Sequence, residues 1–584
     1  MSDYVPPLDT ISSQLNHAAR THGVFELEAF TEFSGDVAEA VLDEAARFAQ
    51  KVLAPINQLG DQQGAKCSDG RVTVPVEFVD AYRQFIANGW TSLGSDPEYG
   101  GQGFPELLVT AVYEMFSAAN LAFTLCPKLA QSAVQSLQTH ASAEIRQRYL
   151  EDLVSGRYTS SMDLTEPSAG SDLGRITTTA VSQGDHYLVR GRKIFITWGD
   201  HDMAENVIHL VLARTPGAAQ GSRGLSLFLV PKFLDDAEGN ATQRNDMQVL
   251  SIEHKLGIHC SPTCVMSYGD QGGATGYLIG AEGDGLTNMF TMMNQMRLGV
   301  GVQGVALAQR AYQDSVDYAR ERVQGHIPGR GEVKIIAHGD MRRMLLTMHA
   351  LTLAARALVL ETAAAIDVHA HSDDAVVKKK YGLYADLLTP VAKGWCTEVA
   401  QEAAYLSVQV FGGMGFVEET GVAQYMRDAR ILPIYEGTNG IQALDLVDRK
   451  LLKKGDSAMR TVIAEARQLC SELPADFARE AKRLGAGIGQ LETSTDWILA
   501  HSADDPNTVS AVAFNYLMLT GTVLGGWLTM RHAAAALEAG EHGAEAYAAT
   551  VRFYLEQIMP RADAYAAAVS SGGSSIIDFP EAMF

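Results

Sequence analysis

Between about Ser34 and Gly156 the apolar positions recur every three to four residues, as in Val37, Val41, Ala45 and Phe48 and again in Leu107, Val112 and Met115. That period predicts amphipathic helices. The Gly- and Pro-rich stretch 95–103 reads as an irregular loop between two of them. Near Tyr158 the pattern shortens to runs rich in β-branched and aromatic residues, such as 177–181, 186–189, 193–197, 207–212 and 225–230, separated by Gly or Pro. No helix-length segment lies between these strands, so they are expected to pair mainly antiparallel in a small barrel. Helical periodicity returns from Leu286 to about Lys454 in four long segments, broken near 325–331, 371–374 and 412–415, which suits a four-helix bundle. A further Ala-rich helical stretch follows and ends in a flexible-looking 570–575 tail.

The pattern therefore predicts an α+β chain in five parts. These are an N-terminal extension (1–33), a helical N-terminal domain (34–157), an antiparallel β-barrel middle domain (158–285), a four-helix bundle (286–454) and an additional C-terminal helical domain (455–584). One segment competes with this picture. From Thr508 to Met530 there is no charged residue, a length sufficient to cross a bilayer. Asn515, Gly521, Gly525, Gly526 and several threonines weaken insertion, so a buried bundle helix is preferred and no membrane association is expected.

Composition narrows the classes. Hydrophobic residues at 47% and charged residues at 20% describe a folded globular chain. A net charge of −23 repels phosphate backbones, which argues against nucleic-acid binding. Six scattered cysteines form no disulfide framework and fit a reducing compartment. The opening residues carry no basic or apolar targeting segment, so a cytoplasmic location is expected.

Candidate chemistry is sparse. Gly299-Val300-Gly301-Val302-Gln303-Gly304 matches a dinucleotide fingerprint, but it follows a helical pattern rather than a strand and reads as glycines that let two helices approach. His254, His259, Cys260 and Cys264 fit no common zinc spacing, and no metal site is expected. Two segments look more purposeful. Met162–Asp172 crowds hydroxyls, small residues and backbone amides into one loop, suited to the edge of a planar ring or to a phosphate, though a plain capped turn fits as well. In Ile434-Tyr435-Glu436-Gly437-Thr438-Asn439-Gly440, a lone carboxylate in apolar surroundings beside a glycine suits abstraction of a carbon-bound proton, and an exposed turn glutamate is the alternative.

At these residues the sequence resembles the acyl-CoA dehydrogenase family of flavoproteins. Leu164-Thr165-Glu166-Pro167-x-Ala169-Gly170-Ser171-Asp172 is similar to its flavin loop and Tyr435-Glu436-Gly437-Thr438 to the segment bearing its catalytic glutamate. Lys193-x-Phe195-Ile196-Thr197-x-Gly199, Arg320-Glu321-Arg322, Val408–Phe416 and Met426-Arg427-Asp428-Ala429 follow in register, and the C-terminal extension resembles a longer branch. The resemblance implies noncovalent FAD and dehydrogenation of an acyl-CoA thioester, fatty or 3-methylmercaptopropionyl, to the trans-2-enoyl-CoA, within fatty-acid β-oxidation chemistry. Glu436 would take the α-proton while hydride passes to flavin N5. The cofactor contacts implied are Leu164, Thr165, Gly170, Ser171, Phe195, Thr197, Arg322, Gln409, Gly412, Gly413 and Thr438, with Arg322, Gln409 and Gly413 reaching FAD across a subunit interface. Ser171, Arg297, Tyr435 and Gly437 would meet substrate. Electron-transferring flavoprotein is the implied acceptor and a homodimer or homotetramer the implied assembly. Phe195 replaces the family's usual tryptophan, Met296 occupies the alternative base position, and Met289, Met292, Met293 and Met296 suit either an acyl pocket or a bundle core. An acyl-CoA oxidase of the same fold, or a flavin-free helical binding protein, are the alternatives.

Overall fold

The computed structural model describes residues 3–33, 35–236, 240–502 and 506–584. Ser34, where the periodicity places the start of the N-terminal domain, lies outside the described residues. The chain opens with helices α1 (Leu8–His22), α2 (Gly35–Phe48) and α3 (Asn57–Gln63), a hairpin of β1 (Lys66–Ser68) and β2 (Arg71–Thr73), then α4 (Val76–Ala87), α5 (Glu106–Ala119), α6 (Leu121–His140) and α7 (Ala143–Ser155). Strands follow: β3 (Tyr158–Asp163), β4 (Thr179–Ser182), β5 (Tyr187–Thr197), β6 (Asn206–Arg214), β7 (Leu225–Pro231), β8 (Phe233–Asp235), β9 (Ala241–Arg244), β10 (Met247–Ile252), β11 (Thr263–Tyr268) and β12 (Ala274–Ile279). After α8 (Gly285–Glu321) come the hairpin β13 (Val323–Ile327) and β14 (Gly331–Lys334), α9 (Gly339–His371), α10 (Ala375–Phe411), α11 (Val422–Ala429) and α12 (Asn439–Leu444). The chain closes with α13 (Ser457–Glu472), α14 (Ala478–His501), α15 (Pro506–Glu538), α16 (Ala544–Phe553), α17 (Arg561–Ser570) and α18 (Ser574–Ile577).

Two compact units form. One comprises Ala45–Pro105 and Ala119–Met296, the other Met1–Glu44, Glu106–Ala118 and Arg297–Phe584. In the first, the sheet order is β10-β11-β5-β12-β7-β6-β3, and β4 pairs with both β5 and β6. That double pairing closes β5, β12, β7, β6 and β4 into a ring. The pairings are antiparallel as expected except β3 with β6 and β4 with β6, which run parallel. Val189, Val211, Phe228, Val230, Met266 and their neighbours fill the interior. α6 starts where the Asn120 side chain accepts the Phe123 N–H at 3.1 Å, satisfying an orphan donor of the first turn.

In the second unit the long helices α9 and α10 pack on each other and on α15 of the C-terminal extension, and α8 contributes its part from Arg297 onward. Gly301 and Gly304 belong to α8. A Cβ on Gly304 would lie 2.5 Å from the Cys396 carbonyl oxygen and one on Gly301 2.9 Å from that of Ala392, so these glycines permit close approach of α8 to α10. Arg356, fully buried, donates through Nε and Nη2 to both oxygens of Glu114 at 2.7–2.9 Å and through Nη2 to Gln309 at 2.8 Å, tying α5, α8 and α9 together. The uncharged 508–530 stretch lies in α15. By length and composition α15 would cross a membrane, yet 72% of its most apolar window is buried against α9, α10, α14 and α17.

Several local expectations differ from what forms. On α2 the buried stripe is Ala38, Leu42, Ala45 and Ala46, while Val37 is exposed. The 325–331 break is a β-hairpin. The fourth bundle helix is interrupted: Pro433 and the positive φ of Glu436 and Gly437 separate α11 from α12, which runs on into a π-helical stretch over Asp445–Lys453. The stretch read as a flexible tail ends α17 and starts α18. All six cysteines are free thiols.

Candidate active site

The turn between α11 and α12 carries Tyr435, Glu436 and Gly437. Glu436 has φ +56° and Gly437 φ +85°. A non-glycine residue held in this region stores strain of about 1–3 kcal/mol, typical of functional positions. A Cβ on Gly437 would meet Gln442 Nε2 at 2.8 Å, the same nitrogen that donates to the Glu436 and Gly437 carbonyls at 3.2 Å each. Asn439, buried, anchors the turn to α10. Its Nδ2 donates to Glu398 Oε1 at 2.7 Å and Thr397 Oγ1 at 3.0 Å, and its Oδ1 accepts from Lys393 Nζ at 2.9 Å. Thr438 accepts the Ile441 N–H at 3.3 Å as the N-cap of α12, leaving its hydroxyl proton for an acceptor outside the helix. Tyr435 donates its hydroxyl to Gln303 Oε1.

Glu436 Oε2 is buried with no hydrogen-bond partner, and the Glu436 N–H meets no acceptor among the described residues. Burial pushes this carboxyl up to about 7, against the pull of Arg297 and Lys393. The carboxylate is thus not alone in apolar surroundings: two buried cations, Arg297 and Lys393, act on it. Arg297 pairs with Asp445 Oδ2 at 3.2 Å, and its Nη2 comes within 3.8 Å of the Gly437 Cβ position. Lys393, fully buried, is pulled down to about 7 by desolvation, with Glu436 opposing. In the sequence Lys393 is one lysine in the mostly apolar helical run 387–400, and its place beside the carboxylate follows only from the packing of α10 under the turn.

In the β unit, the loop after β3 is fixed from inside. Glu166 and Ala169 exchange two backbone hydrogen bonds of 3.0 Å. The buried Glu166 carboxylate accepts from the Thr177 N–H and hydroxyl (2.7 Å each), the Thr178 N–H (3.0 Å) and hydroxyl (2.6 Å), and Lys193 Nζ (2.9 Å). Burial alone would raise this carboxyl. Lys193 and the threonine donors outweigh it and hold it down at about 2. Lys193 also donates to the Leu164 carbonyl at 3.0 Å, and the Ile194 N–H to that of Thr165 at 2.9 Å. The loop's outer edge is left open: Leu164 is buried, Thr165 half-buried, Gly170 and Ser171 exposed, and a Cβ on Gly170 would meet nothing within 4 Å. On β5, Phe195 combines φ +59° with 58% exposure, beside the register shift opposite Cys264–Met266. Thr197 is half-buried two residues on.

Arg322, Gln409, Gly412 and Gly413 gather elsewhere in the bundle unit, at the end of α8 and α10 where Tyr318 stacks on Phe411 at 4.1 Å. All four are exposed. Arg297 and Arg322 are 25 residues apart along α8, an axial distance of about 37 Å, so this group is not brought to the Glu436 turn within one chain.

A planar redox cofactor fits the β-unit residues. A bulky aromatic ring held outward at positive φ presents a face for stacking, Thr165 and Thr197 offer hydroxyls, and the Gly170 backbone is open to approach. Family models match nearly end to end: acyl-CoA dehydrogenase N-terminal domain over 36–157, middle domain over 161–270, C-terminal domain over 283–451, and an acetyl-CoA dehydrogenase C-terminal-like domain over 458–580. The chain is 43% identical to the 3-methylmercaptopropionyl-CoA dehydrogenase of Ruegeria pomeroyi, over 98% of this chain and 99% of that protein. The chain belongs to the acyl-CoA dehydrogenase family. As an acyl-CoA dehydrogenase it is an oxidoreductase that uses FAD to dehydrogenate an acyl-CoA thioester. Its fold is shared by an acyl-CoA dehydrogenase from Bacillus anthracis solved with FAD, at TM-score 0.76 and 21% identity over 94% of this chain and 90% of that one. A chain solved in work on the electron-transferring flavoprotein of Acidaminococcus fermentans is 28% identical, with TM-score 0.59, over 71% of this acyl-CoA dehydrogenase and 98% of its own length.

Proposed function

We propose that Glu436 is the base that removes the α-proton of the acyl-CoA thioester. The observation that carries this is a buried carboxylate oxygen without a partner, on a strained turn, with its pKa raised to about 7. An α-proton of a thioester is weakly acidic, so a desolvated carboxylate of raised basicity is better matched to it than an exposed one. Bound FAD supplies the acceptor for the β-hydride. The Glu436 N–H, without an acceptor among the described residues, would polarise the thioester oxygen as charge develops there, a contribution of about 3–4 kcal/mol in comparable oxyanion sites. Arg297 and Lys393 oppose the upward push of burial and hold the carboxyl near neutrality, and Gly437 leaves room for the substrate beside it.

Leu164, Thr165, Gly170, Ser171, Phe195 and Thr197 would hold the flavin and its pyrophosphate, with Thr438 donating to a phosphate. Ser171, Arg297, Tyr435 and Gly437 would border the substrate. Arg322, Gln409, Gly412 and Gly413, some 37 Å along α8 from Arg297, would serve the FAD of a second subunit. The exposed Phe416 (88%), Met414 and Tyr405 around them favour such a homodimer or higher assembly.

The 43% identity over nearly the whole chain supports 3-methylmercaptopropionyl-CoA as substrate, with a fatty acyl-CoA as the second candidate. The likeness to a chain from the electron-transferring flavoprotein work supports that acceptor class, and the reading extends to a β-oxidation-type step in the cytoplasm, with which six free thiols agree. The test is anaerobic addition of 3-methylmercaptopropionyl-CoA or butyryl-CoA to the yellow holoenzyme. Flavin absorbance is expected to bleach, fastest with the true substrate. Glu436→Gln is expected to retain FAD and to bleach about 10²–10⁴-fold more slowly; an unchanged rate reassigns the base.

A further inference from the structure

A cavity of about 550 Å³ opens in the bundle unit, and no residue of the Glu436 turn lines it. Its walls come from the end of α1, the first turns of α10, the start of α13 and one residue of α15. It therefore exists only because both extensions, at the two ends of the chain, fold onto the bundle. Its size is that of a site for a nucleotide-sized molecule.

Behind its wall one charge is already matched, since the lining residues His22, Tyr384 and Arg531 turn to Glu361. Glu361, almost fully buried, accepts from Arg531 Nη2 at 2.5 Å and the Tyr384 hydroxyl at 2.7 Å, and lies 2.9 Å from His22 Nε2. Burial pushes this carboxyl up, but Arg531 and His22 overcome it and hold it well below the ordinary range. At the rim the balance is positive. Lys379 makes no ion pair or hydrogen bond among the described residues, and Lys380 pairs with Glu465 at 3.3 Å, both side chains being about half exposed and the pair weak, and lies 5.9 Å from the Tyr381 ring centre. Of the lining side chains Lys379, Lys380 and Arg531 stand against the single carboxylate Glu465, and Glu361 behind the wall pairs with Arg531, which leaves the balance positive by one. A net-positive cavity is out of character in a chain of charge −23, and such a patch concentrates anions. Ser457 adds a hydroxyl to the wall, that of Thr461 donates to the Ser457 carbonyl at 2.9 Å, and the half-buried Tyr381 presents its ring beside them, with Lys380 Nζ over it. Two neighbouring ammonium groups with the Ser457 hydroxyl match a phosphate, and an aromatic wall matches a planar base.

We propose that this cavity binds a small organic phosphate with a flat ring, of the adenosine-diphosphate class, as an effector site separate from the Glu436 turn. Free adenine nucleotide and the adenosine-phosphate end of a CoA molecule share this chemistry. The proposal is independent of the assignment of Glu436. The experiment is calorimetric titration of the FAD holoenzyme with ADP, free CoA and inorganic phosphate, repeated with the double variant Lys379→Glu/Lys380→Glu and with Thr461→Trp, which fills the cavity without changing its charge. ADP is expected to bind saturably and to lose at least about tenfold in affinity in both variants, a change of about 1.4 kcal/mol, while acyl-CoA oxidation without ADP stays at the parent rate. A parallel loss for CoA assigns the site to the shared adenosine phosphate, and an unchanged CoA affinity assigns it to free nucleotide. Absence of ADP binding, equal ADP affinity in either variant, or phosphate binding as tightly as ADP overturns the proposal.

Discussion

Glu436 and Lys393 form a coupled buried pair whose protons leave in overlapping steps near neutrality. A base must be deprotonated to act, so kcat/KM is expected to fall about tenfold per unit as pH drops below about 7 and to level above it. Lys393 is charged in that falling region and favours the carboxylate. Its replacement by Met is therefore expected to move the limb to higher pH, while FAD binding persists; an unmoved profile would make Lys393 purely structural. Asn439 Oδ1 keeps the Thr397 hydroxyl at 3.3 Å in that variant, so the turn retains an anchor. Glu436 and its glycine were legible in the sequence because the motif is local. Lys393 and Asn439 were not, because their meaning arises only when α10 passes beneath the turn.

Among the elements, the loop after β3 depends on one ion pair to β5. The Glu166 carboxyl sits at about 2 in the folded chain against an ordinary 4.5, so its stabilisation is present above pH 4.5 and lost as pH falls toward 2. That difference corresponds to about 3 kcal/mol. Glu166→Gln is expected to lower Tm at pH 7 and to flatten its decline between pH 5 and 3, with faster FAD loss on dilution, followed by flavin fluorescence. The same scale governs α8 against α10. Gly304→Val places atoms where the Cys396 carbonyl oxygen already lies 2.5 Å from a bare Cβ, and a destabilisation of about 1–3 kcal/mol is expected from thermal melting. Periodicity gave α8, α9 and α10 because they are long and buried on defined stripes. It failed on the fourth bundle segment, where the catalytic turn itself breaks the helix at Pro433, Glu436 and Gly437, and on α2, where the small Ala38 rather than Val37 is buried.

For the whole molecule, the order helix, strand, helix and the added C-terminal helices were readable from texture alone. The parallel pairing of β3 with β6 was not, since register between distant strands leaves no local mark. α15 is the apolar keystone of the extension, buried against both α9 and α10. A chain ending at residue 454 would bare those faces, and it is expected to aggregate on expression, which size-exclusion chromatography would show; a monodisperse product would mean the bundle closes without α15.

The span of α8 carries one more consequence. A lesion at Glu436 and a lesion at Arg322 sit at opposite ends of that rod, and in the assembly proposed above they would damage different centres of a two-subunit particle. Two inert preparations, Glu436→Gln and Arg322→Ala, unfolded together and refolded as a mixture, should then regain about a quarter of the parent turnover, because each hybrid pairs one doubly damaged centre with one intact one.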